Sequence, residues 1–125
     1  MIKKEYIEPN EGFSQTVIVT TGHYKTIYIS GQIGIGNTLE EQTKNTFKNI
    51  EKQLQLGNAS FKDVVKMTTY IVNFNPETDL PIYRKIRKDF LKTEQYPAST
   101  LVGIEKLGKR EWLIEIEAIA VINAL

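Results

Sequence analysis

From Gln15 to Gly34, β-branched and aromatic residues alternate with polar ones in two runs, QTVIVT and KTIYISGQIG, on either side of TGHYK. Period-two alternation gives each run an apolar face, and the glycine-containing polar break suits a hairpin loop, so an antiparallel pair is expected. The period then changes. Leu39, Thr43, Phe47, Ile50 and Leu54 recur every three or four positions, which predicts an amphipathic helix, with Thr38 and Glu41 spaced as a capping box and Gly57 as its stop. DVVKMTTYIVN returns to strand chemistry, with Val65, Met67, Thr69 and Ile71 assigned to one face and Lys66, Thr68, Tyr70 and Val72 to the other. Beyond NFNPET, Asp79 is read as the cap of a second helix, with Pro81 in its first turn and Leu80, Tyr83, Ile86, Phe90 and Leu91 as its apolar stripe. Two further strands, ASTLVGI and WLIEIEAIAVI, flank the polar turn EKLGKRE.

The resulting order, ββαβαββ, predicts a mixed β-sheet with two helices packed on one face, an α+β fold in a single domain over residues 1–125. Apolar residues fall on both faces of the later strands, so the face away from the helices needs cover, which self-association would supply. Sixteen Lys plus Arg against fifteen Asp plus Glu leave a net charge of +1. That balance speaks against nucleic acid or anionic lipid as a partner of the chain as a whole. Cysteine is absent and there is one histidine, so disulfides and thiolate chemistry are excluded and no metal site is expected. The N-terminal MIKKEYIEPNEG lacks the apolar core of an export signal, and the longest apolar run, AIAVI, is too short for a membrane span. The default location is the cytoplasm.

Candidate chemistry is sparse, and each residue has an ordinary reading beside the functional one. Glu115 and Glu117 alternate onto the side of Leu113, Ile119 and Val121. Glu117 thus falls where a solvated face turns apolar; desolvated there, its carboxyl would titrate high and could act as a general acid or base, whereas its ordinary reading is an exposed strand carboxylate. Ser30, Gly31 and Gln32 end a strand, as a pocket rim or as a plain bulge. GIGNT lacks the lysine and spacing of a phosphate-binding loop. His23 sits in the predicted turn with no Ser, Cys or second His beside it, which makes it a surface residue. Arg84, Lys85, Arg87, Lys88 and Lys92 give the second helix a basic face, read as solvated, with RNA or an anionic ligand as the alternative.

Three motifs, SGQIG, YPAST and IEIEAIAV, together with the order of elements and with Gln42, Phe47, Asn49 and Ile50 in the first helix, resemble the Rid family, also called YjgF or L-PSP, over nearly the whole chain. The resemblance implies a chorismate-mutase-like fold and a homotrimer with clefts between subunits. It also implies cofactor-independent hydrolysis of amino-acid-derived enamines and imines to a keto acid and ammonia. Glu117 matches the family's water-handling glutamate and Ser30 its serine. Phe13 stands at the family's tyrosine, Leu101 at its cysteine, and Ser99, followed by Thr100, at the arginine that clamps the substrate carboxylate. Serine in place of that arginine removes a charge-assisted fork, a loss of about 2–5 kcal/mol for a carboxylate substrate, or roughly 30-fold to several thousand-fold. Activity on 2-aminoacrylate or 2-iminopropanoate is therefore expected to be weak or absent. Arg84 on the second helix is a candidate relocated clamp. The expected ligand is a small imine-, enamine- or carbonyl-containing metabolite. Two other readings stay open: a metabolite-binding or regulatory trimer without catalysis, and an endoribonuclease-like translation inhibitor, against which the balanced charge speaks.

Overall fold

The period-two runs become ladders in the computed structural model, which describes residues 1–92 and 94–124. Strands β1 (Ile2–Asn10), β2 (Phe13–Thr21), β3 (Tyr24–Gln32), β4 (Val64–Val72), β5 (Ala98–Ile104) and β6 (Ile114–Asn123) form one sheet in the order β1-β2-β3-β6-β4-β5. Helices α1 (Leu39–Leu56) and α2 (Pro76–Leu91) lie in the crossovers, and only the β4–β5 pair is parallel. This is the expected mixed α+β sheet with both helices on one face, preceded by one strand that the pattern does not reveal. β1 carries Lys3, Lys4 and Pro9, charges and a missing donor that suit a sheet edge and blur the alternation. It joins β2 through Glu11 and Gly12, both at positive φ (51° and 89°), as a tight turn with the twist of a hairpin requires. The β2–β3 turn is shorter than expected, only Gly22 and His23, with Gly22 at φ 57°.

The core lies between the sheet and the helices. β6 contributes Ile114, Ile116, Ala118 and Ala120, α1 contributes Phe47, Ile50 and Leu54, and α2 contributes Tyr83, Ile86 and Leu91, all buried. Phe47 holds the centre of an aromatic cluster with Phe61, Tyr83 and Phe90, stacking on Phe90 at 5.3 Å between ring centroids. Gln53 ties α1 to the sheet: it accepts from the Thr16 hydroxyl at 2.7 Å and donates to Glu8 at 3.0 Å.

Several local expectations are corrected. The ladder slips between Val64 and Lys66, so Val64 turns inward and Val65 is exposed. α2 starts earlier than expected, at Pro76. Asn75 is its cap, accepting from the Glu77 amide, while Asp79 reaches back to accept from the Asn75 amide at 2.8 Å. Pro81 consequently sits beyond the first turn. In α1, Thr38 accepts from the Glu41 amide at 3.1 Å, but the Glu41 carboxylate meets the Thr38 hydroxyl instead of completing a reciprocal box. Gly57 does end α1, though Asn58 takes the left-handed conformation at φ 61°; Gly57 is small because a Cβ there would lie 2.7 Å from Ile27 Cδ1. Among the described residues no helix is long and apolar enough to cross a membrane.

Candidate functional site

Tyr83 is the anchor of the first group of polar side chains. Its ring is buried in the core and its hydroxyl shares a 2.6 Å hydrogen bond with Thr69 on β4, so it cannot turn. One turn along α2, the Arg87 guanidinium rests over that ring, 5.1 Å from its centroid, and donates to the Ser99 hydroxyl on β5 at 3.4 Å. Arg84 and Lys88 flank Arg87 at the mouth of a cavity of about 370 Å³. Ser99 lies in its wall, and Leu91, Tyr96 and Pro97 supply the apolar part. The basic face read as solvated thus forms one side of a pocket. Asp89 belongs elsewhere, lining a separate depression with Glu51.

The second group lies on the opposite face of the sheet. Thr68 pairs with Glu117 and Tyr70 with Glu115, all four on the face turned away from the helices. The Tyr70 hydroxyl donates to Glu117 at 3.0 Å, and this bond, with the two nearby carboxylates, holds the phenol above its ordinary titration range. Glu117 is exposed in the chain, contrary to the expected desolvation. The partly buried carboxyl is that of Glu115, pushed up chiefly by burial and secondly by the charge of Glu117. Gly31 makes this packing possible, since a Cβ there would lie 2.5 Å from Glu115 Cδ. Beside it, the Ser30 hydroxyl donates to the Ser14 carbonyl at 2.6 Å, and Phe13 is exposed at the start of β2.

Not every expected residue joins a group. Gln32 is buried and donates to Gln15 and to the Ser30 carbonyl, which makes it a brace for the β3 bulge. Thr100 shares the open face and accepts from Lys66 at 2.7 Å, while Leu101 packs inward against the core. His23 is exposed in its turn. The carbonyls of Ile33, Ile35 and Gly36 are taken by the side-chain amides of Asn49, Asn45 and Gln42, which pins the glycine-rich loop to α1. Sequence reading did not assign a site role to Tyr70 or single out Arg87 and Glu115. The period-two pattern already placed Glu115 beside Glu117, but only tertiary packing distinguishes the two.

Ser99 and Glu117 cannot meet within one chain. Met67 faces the helices and is level with Ser99, whereas its neighbour Thr68 faces away and is level with Glu117.

With this geometry in place, comparison with known proteins is informative. Residues 3–122 match the family profile described as Endoribonuclease L-PSP. The chain is 32% identical over 124 residues to the 2-iminobutanoate/2-iminopropanoate deaminase of Dermatophagoides farinae, covering 93% of this chain and 90% of that protein. The Homo sapiens protein of the same name is 32% identical over 117 residues, covering 87% and 79%. Among solved structures, the Rid-family protein YyfB of Yersinia pestis, of unknown function, superimposes with a TM-score of 0.72 at 30% identity, covering 95% of this chain and 98% of that one.

Proposed function

Because this chain belongs to the Rid family, also called YjgF or L-PSP, we propose that it is a homotrimer that binds a small imine-, enamine- or carbonyl-containing metabolite in clefts between subunits and hydrolyses it with water held by Glu117. The observation that carries this reading is the separation of the two polar groups onto opposite faces of one sheet. A ligand reaches both only where the α2–β5 edge of one copy meets the open face of the next, as a head-to-tail ring allows. Exposed Tyr28, Val102 and Val121 on that open face are the apolar surface such an interface would cover. The names of the mite and human relatives support the reaction class.

In the cleft, Glu117 takes a proton from water as the oxygen attacks the imine carbon and the C=N electron pair moves to nitrogen, which then receives that proton from the Glu117 carboxyl. The carbinolamine passes its hydroxyl proton to nitrogen, by way of the same carboxylate, and expels ammonia as the carbonyl forms, with no cofactor in the balance. Tyr70 holds the Glu117 carboxylate in place. Ser99 stands where the family resemblance puts the carboxylate-clamping arginine, so a simple imino acid is a poor substrate. A second reading, binding without turnover, is favoured by the make-up of the cation pocket, which is formed within one chain and, among the described residues, has no carboxylate in its lining to act as a base.

The test is ammonia release from freshly generated 2-iminopropanoate. Wild type is expected to be slow, Ser99→Arg faster by about tenfold or more, and Glu117→Gln slower by about a hundredfold. Hydrolysis that Glu117→Gln leaves untouched would remove the catalytic assignment. Binding of a metabolite without any ammonia would select the second reading. A sedimenting species of monomer mass at working concentration would remove the cleft itself.

A further inference from the structure

We propose that the α2–β5 pocket is a subsite for a small organic dianion, a phosphate monoester or a dicarboxylate carrying an apolar body, with Arg87 as its principal clamp. The proposal rests on the cleft reading above, of which it names the substrate class. Arg84, Arg87 and Lys88 converge on one cavity, and no carboxylate answers them: among the described residues the only ion pair is Lys3 with Glu5. Three cations facing a single carboxylate would leave positive charge unmatched beside the apolar wall of Leu91, Tyr96 and Pro97, whereas a dianion comes closer to balance. The cavity, about 370 Å³, falls in the range of small-molecule sites, about 300–1,000 Å³.

Arg87 is singled out from the other two by its support. Arg84 and Lys88 are exposed, while Arg87 is half-buried against a Tyr83 ring that cannot rotate, and its planar fork already points at Ser99. A guanidinium held this way loses less freedom on binding an anion than a solvated lysine does. Serine at position 99 is then part of the design, since it accepts from Arg87 and leaves the volume an arginine would fill. Tyr96 offers the apolar body an aromatic surface at the pocket wall.

Calorimetric titration of the intact protein at pH 8 tests this with phenyl phosphate and phthalate as dianions and benzoate as the monoanion of similar shape. At least one dianion is expected to bind tenfold or more tightly than benzoate, and the tighter of the two names the headgroup. Arg87→Gln should weaken that dianion by about tenfold or more, while Lys85→Gln, on the same helix but outside the cavity, should leave it within about twofold. Equal affinity for dianion and monoanion, equal losses in the two variants, or no binding by wild type would each overturn the proposal. Because the readout is equilibrium binding, a protein that binds dianions yet releases no ammonia retains this subsite and loses only the hydrolytic reading. One that turns over imines without preferring dianions does the reverse.

Discussion

The α2–β5 edge and the open face of β3 and β6 differ in charge and in how completely they are built. At the edge, a buried tyrosine, a stacked arginine and a serine form a supported cavity lined by positive charge. On the open face, two glutamates and a tyrosine stand on a surface that no helix of the described residues covers, and of the two carboxyls it is Glu115 that is tucked against a neighbour. The edge looks ready to bind something, and the face looks ready to be covered. Opposite charge on surfaces that cannot meet within a chain is what a heterologous interface uses, because each copy then presents one half of a site to each neighbour.

The sharpest way to break this comparison is subunit mixing. Arg87→Gln and Glu117→Gln chains should each be defective by tens-fold or more in turnover of the best substrate found. If each site takes Arg87 from one chain and Glu117 from the next, dissociating the two variants and reassociating them in equal amounts restores roughly a quarter of wild-type activity, the share of sites that receive both intact residues by chance. No recovery, with mixed trimers verified by mass, would mean that the two residues act within one chain or not together.

The edge is also predicted to depend more on the core than the face does. Tyr83→Phe keeps the ring but leaves the buried Thr69 hydroxyl without its 2.6 Å partner, so urea unfolding should show a loss of about 1–3 kcal/mol. On the face, Gly31→Ala pushes against the flexible Glu115 side chain from its Cγ outward and against no backbone among its nearest atoms. The carboxyl can swing outward, and the stability change should stay below about 1 kcal/mol. A larger cost for Gly31→Ala than for Tyr83→Phe would reverse the assignment of which region is rigid.

How much of this was legible in the sequence follows from the range of the forces involved. α1 was legible in outline because a 3.6-residue period and Thr38 are local signals, and β2, β3, β4 and β6 because alternation is local too. β1 was not: its charges and Pro9 belong to an edge strand, whose partner lies on one side only. The face parity of Val65 failed because the slip at Val64 and Lys66 arises from pairing with β6, which no pattern within β4 encodes. Of the candidate site, Glu117 was singled out by its place in the alternation of the last strand, Ser30 by the end of its strand, and Ser99 through the family resemblance. Arg87 could not be told from Arg84 or Lys88 on a uniformly basic stretch, since what distinguishes it is the Tyr83 ring beneath and Ser99 across a crossover.

The smallest expected effect concerns Glu115, and its sign separates the two carboxyls of the face. Burial raises the folded-state titration of Glu115 above its ordinary value near 4.5, whereas in the unfolded chain it titrates close to that value. The folded state therefore holds this proton more tightly, so the contribution of Glu115 to stability is fully present below the ordinary carboxylate range and is lost as pH rises through the raised folded value. Glu115→Gln cannot lose a proton. Its stability relative to wild type should climb as pH rises from about 4.5 through the folded titration of Glu115 and then level off. Urea midpoints collected across that interval for both proteins measure the difference directly. A constant difference would mean that Glu115 is solvated alike in both states, and a fall with pH would mean that a cation, not burial, governs it; in either case the face would lose the one feature that sets Glu115 apart from Glu117.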